Sequence, residues 1–547
     1  MASSPVFYQR LCHWAAIQPE APFIVEAGSG DTLTYAGALA AVEATQRALG
    51  DAPLTIMLAL SSGIANATLW LAALAFGHTL VPVSPDCTPH EVRRLVQLFP
   101  PDLAMVEHAD DAPAAATSGR VLTRAEIERV LWQAAAPSGG TGDTRDRPRP
   151  SGGSVCLMTS GSSGAPKGVV LGEAQLVWTA EQIRRSHGLT PADRGLAVLP
   201  FFHINAPVVS LCASLLAGAS VVIAPRFSRG QFWAWIERHR VTWASVVPAI
   251  VAMLLQTDRP DYLPGTLRFV RTASAPLPPL QLRRFEQRFG IPIIETYGLT
   301  EAASQVCANP LPPERHLPGS VGRPEGVALR ICQPLRDDSP VTVTLALADV
   351  PAGETGEVCI AGPSVIAGYA SGAGGATFQD GWFRTGDLGF LDTDGYLHLT
   401  GRLREMILHG GETIAPREVE ETLIAHPAVA EAAVVGRPDA VYGERVVAYV
   451  VPRERPGPDA ATLAATLRQH CVSQLSLAKV PEFIVFIAAL PRTPNGKLDR
   501  QRLRAEQADE QTAALRVPVA LNARTPSARL ASVRSTVAPS AKTDASA

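Results

Sequence analysis

The sequence predicts an α/β protein with a large, multi-layer N-terminal domain joined by a hinge to a small α+β C-terminal domain. First, its 547 residues exceed what one compact core usually holds. Second, over the first four hundred residues, apolar strand-like runs such as 54–60 and 219–225 alternate with helical segments rich in alanine and leucine. That alternation is typical of parallel sheets covered by helices. Third, the strand-like and helical segments become shorter beyond about residue 404.

Changes in composition along the chain predict three parts. We expect an N-terminal domain over residues 1–403 and a mobile C-terminal domain over residues 404–506, an ordinary size for a unit with its own core. Residues 507–547 are mostly Ala, Thr, Ser, Pro and Arg without apolar periodicity, which predicts a disordered tail. Within the first part, segment 134–153 is rich in Pro, Gly and charge and predicts an exposed loop.

Composition excludes several classes of partner. The formal net charge is only −3 and 46% of the residues are hydrophobic, so no global field attracts nucleic acid or an acidic membrane, and small ligands are expected. The N-terminus lacks the basic start and apolar core of a signal peptide, which favours a cytoplasmic location. The cysteines show no CxxC spacing and predict buried thiols rather than a zinc site: Cys12, Cys87, Cys156, Cys212, Cys307, Cys332, Cys359 and Cys471.

One uncharged stretch, residues 206–225, has about the length of a membrane span. We favour a soluble interpretation, with no transmembrane segment. Pro207 suits the first turn of a helix, Gly218 suits its C-terminal end, and the following Val-Val-Ile suits a buried parallel strand.

The most informative segment is 157–169, LMTSGSSGAPKGV, where an apolar strand runs into a loop of glycine and hydroxyl residues that ends at Lys167. Converging backbone amides, hydroxyl donors and one ammonium group suit a polyphosphate. The spacing does not fit a Walker A loop, and the final glycine of a GxSxG nucleophile elbow is missing. Taken alone, the segment also fits a flexible Ser/Gly linker.

This loop resembles the signature of the adenylate-forming superfamily, which includes acyl-CoA synthetases, aryl-CoA ligases, peptide-synthetase adenylation domains and firefly luciferase. The family usually has TSGTTG where this chain has TSGSSG, and Ser162 and Ser163 keep the hydroxyl donors. Seven further segments resemble family motifs in the same order along the chain: 33–35 (LTY), 200–203 (PFFH), 272–276 (TASAP), 295–302 (ETYGLTEA), 383–389 (FRTGDLG), 401–420 and 491–500 (PRTPNGKLDR).

The resemblance implies an ATP site with Mg²⁺ bound through Glu301, and catalysis by Lys497, Glu301, Thr300 and Lys167. The residues that it assigns to the nucleotide are Thr159, Ser160, Gly161, Ser162, Ser163, Gly164, Lys167, Ser274, Ala275, Glu295, Thr296, Tyr297, Gly298, Thr300, Asp387 and Arg402. Asp387 would hold the ribose hydroxyls, Tyr297 would stack on adenine, and Arg402 would meet ribose or phosphate oxygens. From their own chemistry, these side chains also fit a turn acceptor, a core tyrosine and a surface charge.

The resemblance further implies that the C-terminal domain rotates about the hinge between two half-reactions. Lys497 would serve the first, and the loop of His409, Gly410 and Gly411 would border a thiol channel in the second. Arg404 stands where relatives usually carry Asp or Lys at the hinge, which leaves the energetics of that rotation open.

We therefore expect an ATP-dependent carboxylate–CoA ligase that acts through an acyl-adenylate. The alternative is a stand-alone ligase that loads the phosphopantetheine thiol of an acyl carrier protein; a non-catalytic nucleotide-binding protein and a luciferase-like oxygenase are the other candidates. His203, Ile204, Asn205, Ser274, Ser304 and Gln305 are expected to border the pocket for the acid. Segment 300–322 resembles ligases of small acids such as oxalate, whereas an apolar lining would also accept a fatty or branched acid.

Overall fold

A computed structural model describes most of the chain. The described residues are 4–108, 120–135, 152–159, 167–257, 265–334, 347–370, 372, 377–410, 412–454, 460–493, 497–505 and 516–518. Most of the loop predicted over 134–153 therefore lies outside the described residues. Residues 134 and 135, at its start, end a helix rather than forming a loop.

The α-helices are numbered in chain order. They are α1 Val6–Ile17, α2 Tyr35–Leu49, α3 Ile64–Phe76, α4 Pro89–Leu98, α5 Arg124–Ala135, α6 Glu173–Ser186, α7 Ala213–Ala217, α8 Phe232–His239, α9 Pro248–Leu255, α10 Pro279–Phe289, α11 Pro416–Ala425, α12 Ala460–Gln474 and α13 Arg500–Ala505. A π-helical turn, Pro207–Cys212, precedes α7, and 3₁₀ turns cover Thr300–Ala302, Leu403–Glu405 and Leu477–Lys479.

The strands are numbered in the same way. They are β1 Pro22–Glu26, β2 Thr32–Thr34, β3 Thr55–Ala59, β4 Thr79–Pro82, β5 Leu103–Val106, β6 Arg120–Thr123, β7 Ser154–Thr159, β8 Lys167–Gly172, β9 Arg194–Ala197, β10 Ser220–Ile223, β11 Trp243–Val246, β12 Phe269–Thr272, β13 Ile293–Leu299, β14 Ser304–Ala308, β15 Arg323–Pro324, β16 Ala328–Cys332, β17 Gly356–Ala361, β18 Phe378–Gln379, β19 Trp382–Leu391, β20 Leu397–Arg402, β21 Ile407–His409, β22 Glu412–Ile414, β23 Val429–Asp439, β24 Gly443–Pro452, β25 Phe483–Phe486 and β26 Arg516–Pro518.

Two large sheets contain the predicted parallel strands. One has the order β15-β14-β13-β12-β11-β9-β10-β1-β2, and the other has the order β6-β5-β3-β4-β7-β8. Their central strands run parallel. Antiparallel strands lie at both edges of the first sheet and at the β8 edge of the second, whereas β6 at the other edge is parallel to β5. Helix α3 is buried along its whole length and contacts β1 of one sheet and β4 of the other. A helix that is apolar on all sides suits this position inside the core.

The third sheet differs from the parallel prediction. Strands β16, β17, β19, β18 and β20 pair only antiparallel, over residues 328–402. The described residues between these strands contain no α-helix, and β16 with β17, β18 with β19 and β19 with β20 pair as neighbours along the chain. This sheet has its own apolar cluster around Val358, Ile360 and Phe383.

Beyond residue 404 the chain forms a smaller α+β sheet, with strand order β22-β21-β24-β25-β26 and β23 beside β24. Helices α11 and α12 supply residues to its apolar cluster, which includes Val419, Leu423 and Leu467. Strand β26 pairs antiparallel with β25, so the expectation of a tail without structure is wrong for Arg516–Pro518. The remainder of segment 507–547 lies outside the described residues, and the boundaries at 403 and 506 stay predictions.

The uncharged stretch 206–225 folds as its prolines and glycines indicate. Pro207 begins the π-helical turn, α7 follows, and Gly218 ends α7 with a φ of 73°, a left-handed conformation that favours glycine. Strand β10 then lies parallel between β1 and β9. In the described part of the chain, no helix has both the length and the apolar character to cross a membrane.

The cysteine prediction is correct for six positions. Cys12 and Cys87 are only half-buried. Cys12, within α1, and Cys87, before α4, are partly buried residues packed against two of the apolar clusters.

Candidate active site

The predicted adenine segments meet at the carboxyl ends of β12 and β13. Because these strands run parallel, the turn 272–276 and the end of β13 lie at the same edge of the sheet. The hydroxyl of Thr296 donates to the carbonyl oxygen of Thr272 at 3.2 Å and ties the two segments together. Ser274 has a φ of 75°, so the backbone turns sharply there. Ser274 and Ala275 then line a cleft.

Gly298 permits the close approach that presents Thr300 and Glu301. A Cβ atom at this position would lie 1.4 Å from the carbonyl oxygen of Ser304. The β13–β14 register shifts at this point, and Ser304 follows the 3₁₀ turn with a φ of 110°. Only a residue without a side chain fits here, so the YGLTE segment folds back tightly. Ser304, expected in the acid pocket, is buried just after this turn.

Asp387 is the centre of a polar cluster that joins three strands. The hydroxyl of Tyr297 donates to its Oδ2 at 2.6 Å, and Nε of Arg402 lies 2.9 Å from Oδ1. Asp387 and Arg402 are directly opposite in the β19–β20 ladder. Burial and the adjacent carboxylate raise the pKa of Tyr297, so it stays a hydrogen-bond donor. Each carboxylate oxygen keeps a second lone pair that can accept a ribose hydroxyl.

Glu301 and Lys167 meet through Tyr369. The Tyr369 hydroxyl donates to Oε1 of Glu301 at 3.1 Å, and Nζ of Lys167 lies 4.6 Å from the centre of the Tyr369 ring. Burial raises the pKa of this phenol, and the Glu301 carboxylate adds to the effect. One aromatic ring thus positions the predicted magnesium-linked carboxylate beside the predicted phosphate lysine.

Lys497 comes from the C-terminal part of the chain and reaches the same region. Its side chain lines the cleft that also contains Ser274 and Ala275. Burial and the charge of Arg402 lower the pKa of Lys497, whereas the carboxylates of Asp387, Glu301 and Glu405 oppose that change. These electrostatic contributions are appreciable only at short range. The charge of Glu301 therefore acts on Lys497, and Lys167 lies near the same carboxylate through the Tyr369 ring.

The phosphate loop itself is described only at its two ends. Thr159 at the end of β7 pairs with Lys167 at the start of β8, so the loop connects two antiparallel strands, of which β8 is at the edge of the sheet. The predicted residues between them lie outside the described residues: Ser160, Gly161, Ser162, Ser163 and Gly164.

Glu295 is enclosed to an extent that the sequence did not indicate. It is 2% exposed, and its Oε1 accepts a hydrogen bond from the backbone N–H of Leu277 at 3.2 Å. Among the described residues, Oε2 has no hydrogen-bond partner. Burial raises the pKa of this carboxyl to about 7. A nucleotide contact by Glu295 stays a prediction, whereas its support of the 272–276 turn is direct.

The residues expected at the acid end form a polar cluster. Asn205 follows the buried Ile204, just before the π-helical turn. Its Nδ2 donates to the Ser274 hydroxyl at 3.2 Å. Its Oδ1 accepts a hydrogen bond from Nη1 of Arg271 at 2.9 Å. His203, in the preceding turn, has its ring 4.4 Å from that of Phe202, centre to centre. The lining of the acid pocket stays a prediction, and on this side Arg271 brings a full charge into the core.

The predicted hinge and the predicted thiol loop are neighbouring segments of the chain. Arg404 is in the 3₁₀ turn Leu403–Glu405, and its charge acts on Tyr369. Gly410 has a φ of 58°, and its N–H donates to the carbonyl oxygen of Tyr442 at 2.8 Å. His409 stacks on the Tyr442 ring at 4.8 Å. Gly411 lies outside the described residues, so the thiol channel stays a prediction.

Sequence reasoning missed Arg271 and Tyr369. Arg271 could have been noticed as a charge inside the apolar run LRFVRT, which otherwise predicts a buried strand. Tyr369 follows a Gly and carries no motif of its own. Its role depends on where the 362–370 segment crosses β8: the N–H of Ala370 donates to the carbonyl oxygen of Gly168 at 2.8 Å.

Comparisons with known proteins agree with this geometry. Residues 11–370 match the model of the AMP-binding enzyme family, and residues 418–497 match the AMP-binding enzyme C-terminal domain. A sulfoacetate–CoA ligase of Cupriavidus necator is 41% identical over 89% of this chain and 95% of its own length. An oxalate–CoA ligase of Arabidopsis thaliana is 35% identical over 79% of this chain and 84% of its own length.

A solved structure extends the likeness to three dimensions. O-succinylbenzoate coenzyme A synthetase of Bacillus subtilis, in complex with ATP and a magnesium ion, is 28% identical with a TM-score of 0.74. The match covers 91% of this chain and 99% of that one. The motifs, the two-part α/β fold and these matches agree, and the chain belongs to the AMP-binding enzyme family, in its carboxylate–CoA ligase branch.

Proposed function

We propose that this chain is an ATP-dependent carboxylate–CoA ligase that forms an acyl-adenylate with release of pyrophosphate and then an acyl-CoA with release of AMP. One observation carries the assignment of roles: Lys167 lies over the Tyr369 ring whose hydroxyl bonds Glu301, and the charge of the same Glu301 acts on Lys497. Two cations beside a carboxylate and a hydroxyl-rich turn suit a nucleotide triphosphate.

In the first half-reaction, a carboxylate oxygen of the acid attacks the α-phosphorus of ATP, and the bond to pyrophosphate breaks. Asp387, held by Tyr297 and Arg402, accepts the ribose hydroxyls and fixes the nucleotide. Lys497 offsets the negative charge shared by the attacking carboxylate and the α-phosphate. Lys167, fixed over the Tyr369 ring, faces the departing phosphates. Positioning and charge compensation supply the rate enhancement, because the protein forms no covalent intermediate here.

The residues present fit Mg²⁺ shared with phosphate oxygens. Mg²⁺ usually takes one or two carboxylates and fills its remaining positions with water and phosphate. Glu301 offers such a carboxylate, with one oxygen already oriented by the Tyr369 hydroxyl. Among the described residues, no group of three or more His, Cys, Asp or Glu side chains could hold a metal by itself. When bound, the ion would neutralise phosphate charge.

In the second half-reaction, the thiol sulfur of CoA attacks the acyl carbon, the bond to AMP breaks, and the thiol proton passes to solvent. With Lys497 beside Glu301, this arrangement suits the first half-reaction. We propose that the C-terminal part then rotates about the turn Leu403–Glu405 and brings the His409–Gly410 loop toward the thiol. Gly410 already has a positive φ and presents no side chain to a passing pantetheine arm.

The acid is a small organic acid, as sulfoacetate and oxalate are for the two relatives named above. CoA is the favoured thiol because both of those relatives are CoA ligases. A carrier-protein thiol presents the same pantetheine chemistry, so the acceptor is tested by offering both.

The test is carboxylate-dependent pyrophosphate release by the purified full chain, followed by thioester detection with CoA and with a carrier protein side by side. We expect release only with ATP and an acid present, and thioester with CoA. No release with any acid of a panel of short, dicarboxylic, aromatic and medium-chain acids would contradict the ligase assignment. Thioester on the carrier protein alone would contradict the choice of acceptor.

A further inference from the structure

Arg271 is a buried cation whose charge is not balanced by the protein. It is 1% exposed on β12, between β11 and β13. Its Nη1 donates to Oδ1 of Asn205 at 2.9 Å and to the hydroxyl of Ser245 at 3.3 Å. Both acceptors are neutral. Among the described residues no carboxylate pairs with Arg271, and its Nε has no hydrogen-bond partner.

Such a charge is costly to bury. An arginine inside a protein is ordinarily paired with an acid. Burial lowers the pKa of Arg271 to about 9, so the guanidinium is still protonated at neutral pH. For comparison, the buried Arg384 in the antiparallel sheet is paired with Glu357. Through Asn205 this unbalanced guanidinium is linked to Ser274, which lines the cleft, so the balancing anion can come from a ligand.

The neighbours of Arg271 are polar and partly unsatisfied. The charge of Arg271 contributes to lowering the pKa of His187, which is lowered mainly by burial, so His187 stays neutral. His187 Nδ1 contacts the Ser186 hydroxyl at 3.0 Å, and Nε2 of Gln305 donates to the same hydroxyl at 3.0 Å. In the described structure, His187 Nε2 and Gln305 Oε1 are buried without a hydrogen-bond partner. Arg268, the other charge acting on His187, is paired with Asp193, so Arg271 is the charge beside these groups that no carboxylate balances among the described residues.

Asn205 sets the distance between this cluster and the reacting end. Its amide bonds Arg271 on one side and Ser274 on the other. Ser274 lines the same cleft as Lys497, which we assign to the reacting carboxylate. One amide and two hydrogen bonds span about 8 Å at most, which suits two anionic groups separated by roughly one to three carbons. A long acyl chain would have to pass the guanidinium.

We propose that Arg271 selects the acid: the substrate is a short acid with a second anionic group, a carboxylate or a sulfonate, that receives hydrogen bonds from the Arg271 guanidinium. This inference rests on the proposed ligase function and specifies its substrate class. Arg271 would hold the group that does not react, and Lys497 the carboxylate that does. The planar fork of arginine matches the oxygen spacing of both anions.

The first experiment measures kcat/KM for pyrophosphate release with matched acids. Malonate, succinate and sulfoacetate carry the second anion, whereas propionate and butyrate have similar chain lengths without it. We expect kcat/KM for at least one acid of the first group to exceed that for the second group by about 100-fold or more. A monocarboxylate lacks the second anion and leaves the buried guanidinium donors unpaired, which strongly disfavours its binding. Comparing malonate with sulfoacetate distinguishes a carboxylate-specific from a sulfonate-specific site.

The second experiment uses Arg271→Met, which removes the charge while keeping a long side chain. We expect a loss of about 100-fold or more in kcat/KM for the doubly anionic acids, with activity on propionate unchanged or higher and the KM for ATP unchanged. Arg271→Lys keeps the charge without the fork and should lose less. The control is Arg268→Met, because Arg268 is paired with Asp193 and partly exposed, so the selectivity between the two groups should stay as in the wild type.

Failure of this inference is distinguishable from failure of the ligase assignment. If monocarboxylates are activated as well as or better than the doubly anionic acids by the wild type, the Arg271 proposal is overturned and the ligase assignment stands. An equal loss on both groups in Arg271→Met would overturn it as well. If Arg271→Met does not fold, the wild-type series alone decides. If no acid supports pyrophosphate release, the ligase assignment itself fails.

Discussion

Two arginines of the chain, Arg402 and Arg271, have opposite electrostatic surroundings. Arg402 is paired with Asp387, and 55% of its side chain is exposed. Arg271 is 1% exposed and bonds only neutral oxygens in the described structure. The first pair is complete without a ligand and can hold a nucleotide in a fixed position. The second is incomplete, so it can discriminate between acids. A charge that the protein itself balances, such as Arg402, is suited to holding a ligand in place. A charge that the protein leaves unbalanced, such as Arg271, is suited to selecting ligands that carry the opposite charge.

The largest effect is expected where a charge acts only during the reaction. Lys497→Ala should reduce the rate of adenylate formation about 100- to 1,000-fold, as for the loss of one preorganised charge stabiliser. Thioester formation from supplied acyl-AMP should be nearly unchanged. Pyrophosphate release and thioester formation are measured separately on the same preparation.

The matched control for Lys497→Ala is Lys479→Ala. Lys479 lies in the same part of the chain and bonds Glu418 at 2.8 Å on the surface. We expect wild-type rates from it in both half-reactions. An equal loss in both half-reactions for Lys497→Ala would contradict the separation of roles between Lys497 and the His409–Gly410 loop.

A buried acid near the adenine turn offers a stability test. Burial raises the pKa of Glu295 from 4.5 to about 7, so the folded protein binds this proton more tightly than the unfolded chain. The free energy of unfolding should therefore fall as pH rises from about 4.5 to about 7, by at most about 3 kcal/mol from this group. Glu295→Gln should lose that pH dependence. Chemical denaturation at pH 5 and pH 8 measures it, and parallel pH profiles for both proteins would refute the assignment.

The ribose contact should have a smaller effect, confined to the nucleotide. Asp387→Asn keeps the shape of the side chain and the bond from Tyr297 but removes the charge that faces Arg402. We expect the KM for ATP to rise about 10- to 100-fold, as for hydrogen bonds to a charged group, with the KM for the acid unchanged. Steady-state kinetics with each substrate varied in turn checks this. An unchanged KM and kcat for ATP would remove the ribose role of Asp387.

The smallest effect is expected from Tyr369→Phe. The change removes the hydroxyl that orients Glu301 but keeps the ring beneath Lys167. Because one hydrogen bond from a neutral donor to the Glu301 carboxylate is lost, we expect the rate of adenylate formation to fall by up to about tenfold. The concentration of Mg²⁺ needed for half-maximal rate should rise. Titration of the rate with Mg²⁺ measures both. An unaltered Mg²⁺ dependence would separate Tyr369 from the metal site.

Much of the nucleotide end could be predicted from the sequence, because its residues lie in contiguous motifs. Gly298 illustrates why: the YGLTE segment requires glycine for a backbone contact only six residues away in the chain, at Ser304. Arg402 and Asp387 likewise belong to neighbouring strands of one hairpin. Short-range requirements of this kind leave a signature in the local sequence.

The acid end could not be predicted in the same way. Asn205, Ser245 and Arg271 belong to separate segments, and the strand pattern around Arg271 indicates only a buried position. The antiparallel character of the third sheet also escaped the sequence analysis, since strand direction depends on how neighbouring strands are connected rather than on residue type.

The sequence by itself determined the α/β class, the order of the motifs and the chemistry of the nucleotide-binding residues, since these follow from local backbone requirements and side-chain type. Only the tertiary structure decided that the charge of Glu301 acts on Lys497 and that, among the described residues, Arg271 lies buried without a paired carboxylate. The physical reason is that the cost of an enclosed charge depends on which atoms the fold brings around it. Those atoms come from strands and turns that are far apart in the chain.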